Sequence, residues 1–142
     1  MLRKLLSLIA APVMAGGFVV PAFAQQSAQP ATRPATQEEL FTYNRMGAVN
    51  ICYLTSQDVP LSKAFPSSKV MIGNVIIAKH GSEIVENNKT IKLEPKQIET
   101  GAIFGLVGNV KALCADKLKG NDKKEFDALY SQIEKALKQQ QR

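Results

Sequence analysis

Residues 101–110 read Gly-Ala-Ile-Phe-Gly-Leu-Val-Gly-Asn-Val, and the three glycines in this apolar run raise the question of what packs against this segment. Such glycines occur in phosphate-binding loops, on contact faces of membrane helices and in closely packed helices of globular proteins. A phosphate-binding loop is excluded because Gly108 is followed by Asn109 and Val110 rather than by lysine and a hydroxyl residue. A membrane helix is excluded because charged residues surround the run. These residues are Glu94, Lys96, Glu99, Lys111 and Asp116.

Small residues recur in this region with the spacing of one helix face. Gly101, Gly105, Gly108 and Ala112 follow one another at steps of four, three and four residues, so they would form a stripe along a helix. Three glycines inside a helix lower its stability by roughly 3 kcal/mol relative to alanine. We therefore predict that a neighbouring backbone packs closely against this stripe. The alternative is a ligand or partner laid against it.

Sequence signals place four helices and one short hairpin along the chain. Thr36 with Glu39, and Asp122 with Glu125, have the spacing of capping boxes, and Pro95 suits the first turn of a helix. The predicted elements are helices at about 36–55, 62–79, 95–118 and 122–138, with strands at 83–85 and 90–93. The second helix is rich in β-branched residues, so a strand is the alternative there. The sequence thus predicts a mainly α fold, a small bundle of about four helices with a possible β-hairpin.

Cys52 and Cys114 are the only cysteines of the chain. They fall on buried faces of separate predicted helices, and the chain has the features of an exported protein, so we predict one disulfide between them. Closing a loop of about 60 residues would stabilise the fold by on the order of 4 kcal/mol. A redox pair and a metal site are the alternatives.

The first 24 residues have the parts of a secretory signal peptide. The basic pair Arg3-Lys4 precedes an apolar run at 5–20, and Ala22-Phe23-Ala24 supplies the small residues of a cleavage site. The run is shorter than the about 20 apolar residues of a membrane span. We predict a cleaved signal peptide at 1–24, with an uncleaved anchor as the alternative. The protein would then be extracytoplasmic: periplasmic, secreted or in a thylakoid lumen.

The segment that follows the predicted cleavage site is polar. Residues 25–35, QQSAQPATRPA, lack large apolar side chains and contain two prolines, which predicts a disordered linker. Residues 36–142 would form a single helical domain. Loss of Arg3 and Lys4 with the signal peptide lowers the net charge from +6 to +4. This modest excess does not indicate a nucleic-acid partner, which requires clustered cations.

The sequence carries little catalytic chemistry. His80 is the only histidine, and it lies at the predicted end of the second helix, where a cation interacts favourably with the helix dipole. We therefore predict a structural role for His80, with no catalytic residue, no metal site and no cofactor. The alternative is a hydrolase that uses His80 with Glu83 or Glu86.

Short motifs spread over about residues 40–138 carry a family resemblance. They are Tyr43-Asn44-Arg45, Val49-Asn50-Ile51-Cys52, Val59-Pro60, Lys63-Ala64, His80-Gly81, Gly101, Cys114 and Asp116-Lys117. Together they resemble a group of small secreted two-cysteine proteins of marine picocyanobacteria. Some members carry a label that implies a class-II cyclic-AMP phosphodiesterase with a metallo-β-lactamase-type fold. That activity does not carry over, because it requires an H-x-H-x-D-H metal cluster and this chain has one histidine.

The leading hypothesis for function is a non-catalytic binding or scaffolding module of the periplasm or envelope. Its partner would be an unknown protein or small ligand. A hydrolase of the kind implied by the phosphodiesterase label is one alternative. Association with a membrane surface is another, through the lysines that alternate with acidic residues on the last helix. These lysines are Lys123, Lys124, Lys135 and Lys138.

Overall fold

A computed structural model describes residues 32–140, which form four helices and one hairpin. The elements in chain order are α1 (Gln37–Ser56), α2 (Leu61–His80), β1 (Glu83–Glu86), β2 (Lys89–Lys92), α3 (Pro95–Leu113) and α4 (Gly120–Gln140). The predicted mainly α bundle with a short hairpin is confirmed, and residues 62–79 are helical. The predicted signal peptide at 1–24 lies outside the described residues.

The core lies where α1, α2 and α3 pack against one another, and α4 covers α2 and α3. All four helices contribute fully or almost fully buried side chains, because each has apolar residues at helical spacing. These include Ala48, Ile51, Ile72, Ile76, Leu106, Val110 and Phe126. None of the helices in the described part of the chain is both long enough and apolar enough to cross a membrane.

The hairpin turns at Asn87 and Asn88, both of which have positive φ angles, as a two-residue hairpin turn requires. Ala35 adds a parallel bridge to β1: its amide donates to the Glu83 carbonyl, and the Val85 amide donates to the Ala35 carbonyl, each at 2.8 Å. Residues 32–35 were placed in the predicted disordered linker, yet here they contact the hairpin and the bundle. Backbone pairing orders this polar segment without requiring large apolar side chains.

The third helix is shorter than predicted. It ends at Leu113 rather than near Leu118, because the backbone leaves the helical conformation at Cys114, where φ is −155°. The turn that follows brings the side chains of Ala115 and Leu118 into the core. No glycine or proline marks this end, so the sequence alone gave no sign of it.

The fourth helix begins at Gly120, two residues before the predicted start. The predicted cap residue, Asp122, lies within the first turn, and its Oδ1 accepts a hydrogen bond of 2.9 Å from the Leu61 amide. Leu61 is the first residue of α2, whose own cap position is Pro60 and offers no side-chain acceptor. Asp122 therefore caps a neighbouring helix across 61 residues of sequence.

The predicted packing stripe is wrong at three of its four positions. Gly101 and Gly108 are exposed, a side chain there would meet nothing within 4 Å, and Ala112 is exposed too. Only Gly105 is closely packed, because a Cβ atom would overlap the side-chain amide of Asn44 on α1. The other three positions face outward because the core side of α3 is formed by its large apolar residues, Ile98, Leu106, Val107 and Val110.

A glycine on α1 also allows close packing. A Cβ atom on Gly47 would lie 2.7 Å from Leu106 Cδ2 and 2.9 Å from Ile72 Cδ1. The missing side chain therefore makes room for residues of both α2 and α3. Close approach of the helices in this bundle therefore depends on Gly47 of α1 and Gly105 of α3.

The predicted disulfide between Cys52 and Cys114 is confirmed. Its Cα atoms are 5.9 Å apart, within the usual range for a disulfide. It joins the C-terminal half of α1 to the residue that ends α3. The bond therefore fixes these two helices covalently at one end of the bundle.

Two glycine substitutions on α3 should have opposite effects. Gly105→Ala should destabilise the domain by about 1–3 kcal/mol, since it forces the Asn44 side chain out of a packed position. Asn44 cannot move freely because its Nδ2 donates to the Leu40 carbonyl at 2.8 Å. Gly108→Ala should stabilise the domain by about 0.4–1 kcal/mol, because the site is open. Urea denaturation measures both, and equal effects would contradict this packing.

Removal of the disulfide should lower the free energy of unfolding by about 4 kcal/mol, mainly because the unfolded chain gains freedom. The double variant Cys52→Ser/Cys114→Ser tests this by urea denaturation. Reduced wild-type protein is the matched control and should lose a similar amount. Two titratable thiols in denatured, unreduced wild-type protein would show that the bond does not form.

Candidate binding site

His80 is fully buried, and both of its ring nitrogens are hydrogen-bonded. Nδ1 lies 2.8 Å from the Arg33 carbonyl, and because a carbonyl only accepts, Nδ1 is the donor. Nε2 lies 2.9 Å from the Tyr43 hydroxyl, which also accepts a hydrogen bond of 2.8 Å from the Lys79 ammonium. In the neutral imidazole with its proton on Nδ1, Nε2 accepts the hydroxyl proton of Tyr43. No nitrogen of His80 is left for a substrate or a metal.

The acidic residues of the hydrolase alternative do not bond to this histidine. Glu83 and Glu86 lie on β1, opposite Lys92 and Lys89 in the hairpin register. The two hydrogen bonds of His80 go to Tyr43 and Arg33 instead. Across residues 32–140, no group of three or more histidine, cysteine or acidic side chains is placed to hold a metal ion.

A pair of charged residues holds residues 32–35, here called the N-terminal segment, to α1. The Arg33 guanidinium donates to both carboxylate oxygens of Glu39, at 2.6 and 2.8 Å. Glu39 also accepts from the Thr36 amide at 3.0 Å, which completes the predicted capping box. The hydrogen bonds from Arg33 and then from Thr36 lower the pKa of Glu39 from 4.5 to about 2. Arg33 therefore serves two contacts, one through its side chain and one through its carbonyl.

One side of α1 exposes large apolar side chains to solvent. These residues, here called the α1 outer face, are Phe41, Met46, Val49 and Tyr53. They are 55%, 60%, 53% and 63% exposed, respectively. Arg45 lies among them, with its guanidinium carbon 6.0 Å from the centre of the Phe41 ring. Single exposed apolar residues are common, but four on one helix side form a continuous patch of the kind that marks an interaction surface.

A cleft of about 1060 Å³ opens at the end of the bundle where α1 and α3 end and α2 and α4 begin. We call it the disulfide cleft, because Cys52 and Cys114 line it. Its apolar lining comes from Val49, Tyr53, Pro60, Leu113 and Leu118, and its polar lining from Thr55, Ser56, Asp58, Lys117, Lys119, Asn121 and Asp122. Val49 and Tyr53 belong to both surfaces, so the cleft continues into the α1 outer face.

Most polar groups of the disulfide cleft are already bonded within the protein. The Thr55 hydroxyl donates to the Ile51 and Cys52 carbonyls, and the Ser56 hydroxyl donates to the Tyr53 carbonyl. Asp122 accepts from the Leu61 amide, and the Asn121 side-chain amide donates to the Glu125 carboxylate at 2.6 Å. In contrast, Lys117 and Lys119 form no salt bridge with any carboxylate of residues 32–140. These two ammonium groups are therefore the cationic donors that the cleft offers.

The structure brings together only part of what the sequence singled out. It joins Cys52 to Cys114, and it leaves Gly101, Gly108 and Ala112 on the surface. The α1 outer face and the two cleft lysines were not identified from the sequence. Phe41 and Val49 are of residue types that are usually buried, and α1 is apolar on more than one side. They differ from the core residues only because no neighbour among residues 32–140 covers that side of the helix.

The chain matches the model of a protein family that is described as a domain of unknown function. The family model for this domain, DUF8650, matches residues 38–142, which include all of α1 except its first residue, the other three helices and both cysteines. The chain therefore belongs to the DUF8650 family. Neither the curated proteins nor the solved structures contain a match.

The Glu39 carboxylate should make stability depend on pH. Because its pKa falls from 4.5 to about 2 on folding, its contribution is complete above pH 4.5 and is lost as the pH falls toward 2. Glu39→Gln preserves the capping box but not the charge, so it should be less stable than wild type at pH 6 and equally stable near pH 2. Unfolding in urea across this range measures the difference.

The exposed strand residue Glu86 provides the control for this experiment. Glu86→Gln should match the wild type throughout the same pH range, because Glu86 forms no salt bridge among the described residues. A difference between wild type and Glu39→Gln that stayed constant from pH 6 to pH 2 would contradict the role of the Arg33–Glu39 pair.

Proposed function

We propose that this member of the DUF8650 family is a non-catalytic binding module that works outside the cytoplasm. The observation that carries the proposal is the α1 outer face, where Phe41, Met46, Val49 and Tyr53 are all more than half exposed. Burying such side chains against a partner would contribute about 25 cal/mol per Å² of apolar area removed from water. The opposite side of α1 is fully used in the core, through Gly47, Ala48 and Ile51.

The environment of His80 supports binding over catalysis. A general base must reach its substrate, directly or through one water. His80 is enclosed, and its nitrogens already bond to Tyr43 and to the Arg33 carbonyl. A hydrolase built on His80 and Glu83 or Glu86 would first have to detach the N-terminal segment. The arrangement suits a histidine that fastens this segment to the bundle.

The location outside the cytoplasm rests on three observations. Residues 1–24 have the composition of a signal peptide. The Cys52–Cys114 disulfide is of a kind that persists in oxidising compartments. The motifs between residues 40 and 138 resemble those of small secreted proteins. All three agree with a periplasmic, secreted or lumenal protein.

A membrane-surface role for α4 receives less support. Phe126 is fully buried, and Leu129, Tyr130 and Ile133 pack against the core. The apolar side of the helix is therefore occupied by the bundle. One lysine of its polar side, Lys123, pairs with Asp127. A helix that binds in a bilayer interface needs a free apolar face.

The binding role is tested by capture with matched surface variants. The exported protein, Phe41→Ser/Met46→Ser, and Val70→Ser/Ile77→Ser would each be used to capture proteins from the envelope fraction of the exporting cell. Val70 and Ile77 are exposed apolar residues of α2, so that variant controls for hydrophobicity. We expect a protein retained by wild type and by the α2 variant to be lost at least tenfold with the α1 variant.

The three proteins should unfold at similar temperatures, because all the substituted side chains are exposed. Similar unfolding temperatures would show that a loss of capture comes from the altered surface and not from unfolding of the variant. If the same proteins were captured in the same amounts by all three, the α1 outer face would not be the docking surface.

A further inference from the structure

We infer that the α1 outer face is the contact surface of a homodimer, in which α1 packs antiparallel against α1 of a second copy of this chain. The inference rests on the proposed binding function and deepens it by naming the partner. Within residues 32–140, the α1 outer face has no cover, because α4 packs on α2 and α3 rather than on α1. A helix face of this kind can pack against its own copy about a two-fold axis.

The composition of the face is that of a protein–protein interface. The centres of such interfaces are enriched in aromatic residues, methionine and arginine, and depleted in acidic residues and lysine. Arg45 is the only charged residue of the shallow groove along this face. The groove is lined by Phe41, Thr42, Arg45, Met46, Val49, Asn50 and Tyr53. A helix that binds a lipid surface instead carries many lysines and arginines beside its apolar face.

The exposed area of the face is sufficient for a weak dimer. A fully buried aromatic side chain removes about 150–250 Å² from water. Phe41, Met46, Val49 and Tyr53 are all more than half exposed, so together they offer roughly 500 Å² on each copy. Two copies would thus bury about 1,000 Å², which is close to the lower limit for a specific interface.

Helix periodicity determines how two such faces can meet. At about 100° per residue, Val49 lies near the centre of the face, and Met46 and Tyr53 lie together on one side of it. Met46 precedes Val49 by three positions and Tyr53 follows it by four. An antiparallel pairing with its two-fold axis near Val49 therefore packs Met46 of each copy against Tyr53 of the other. Contacts between methionine and an aromatic ring are favourable.

Two charged residues lie at opposite ends of the face. The Arg45 guanidinium lies beside the Phe41 ring, and Phe41 precedes Val49 by eight positions. Asp58 is just beyond the C-terminal end of α1 and follows Val49 by nine positions. Antiparallel pairing about Val49 therefore brings the Arg45 guanidinium of each copy to the level of Asp58 of the other copy. The face is complementary to itself in charge, which selects a second copy as its occupant.

Both charged groups of this pair are available for it. Arg45 and Asp58 are exposed, and neither forms a salt bridge with any residue of the described segment 32–140. Lys117 and Lys119 line the disulfide cleft together with Asp58, but neither ammonium pairs with its carboxylate. Glu38 lies in the first turn of α1, one turn before Phe41. In the dimer the guanidinium would therefore lie between Glu38 of its own copy and Asp58 of the other.

Sedimentation equilibrium of the exported protein measures the association directly. We expect a monomer–dimer equilibrium with a dissociation constant of about 1–100 μM, in keeping with the small interface. Val49→Asp should weaken the dimer about tenfold or more, because two carboxylates would meet at the two-fold axis. The matched control is Val70→Asp, which places the same charge on the exposed side of α2 and should leave the dissociation constant unchanged.

An exchange of charges tests the antiparallel arrangement. Arg45→Glu should weaken the dimer about tenfold, because like charges would then face each other at both ends of the interface. Arg45→Glu/Asp58→Lys exchanges the two charges and should restore the dissociation constant to within about threefold of the wild-type value. Arg45→Glu/Glu86→Lys has the same net charge without the pairing, so it should remain as weak as Arg45→Glu alone.

Thermal unfolding shows whether each variant is folded. Asp58 has a positive φ angle, so lysine at this position is expected to lower the unfolding temperature. If Asp58→Lys prevents folding, the comparison of Val49→Asp with Val70→Asp still decides the inference.

Three outcomes would overturn the inference. They are a monomer at every concentration up to about 300 μM, well above the expected dissociation constant, equal weakening by Val49→Asp and Val70→Asp, and a folded charge-exchange variant that stays monomeric. A monomer that still captures another protein through the α1 outer face would leave the proposed function intact. A monomer that captures nothing contradicts both proposals. A monomer that sediments with phosphatidylcholine vesicles would assign the face to a lipid surface instead.

Discussion

The disulfide between Cys52 and Cys114 is the constraint on which the rest of this small domain depends. It ties α1 to the end of α3, and on the same pair of helices Asn44 fits against Gly105 and Leu106 fits against Gly47. Both contacts need close approach of the two helices, which the covalent link favours even in the unfolded chain. The same bond lines the cleft. Stability and the candidate binding site thus share one structural element.

A second set of contacts gives the N-terminal segment its place. Arg33 pairs with Glu39 through its guanidinium and accepts from His80 through its carbonyl. Tyr43 and Lys79 complete a chain of hydrogen bonds that joins α1, α2 and residues 32–35. His80 is the fully buried member of this chain, and a buried polar side chain is stable only when its groups are hydrogen-bonded, as both of its ring nitrogens are. The single histidine of the protein is therefore explained by its structural contacts.

The α1 helix has two different sides. Its inner side supplies glycine, alanine and isoleucine to the core, while its outer side presents two aromatic residues, a methionine and a valine to solvent. A helix that is apolar all round is ordinarily buried on all sides. In α1 the outer apolar residues remain uncovered by the described part of the chain. The proposed binding role rests on these large apolar side chains, which are exposed to solvent although residues of this type are usually buried.

The sequence by itself predicted the four helices, with a strand as the alternative for the second, and it predicted the hairpin at Asn87 and Asn88, the capping box at Thr36 and the pairing of the two cysteines. These features depend on local spacing and on the scarcity of cysteine, which can be read without a fold. The sequence did not determine which side of α3 faces the core, that Asp122 caps α2, or that His80 is buried. Each of these depends on residues far apart in the sequence meeting in space, as Tyr43 meets His80 and Leu61 meets Asp122. Only the tertiary structure decided them, because burial is a property of the neighbours that packing supplies and not of the residue itself.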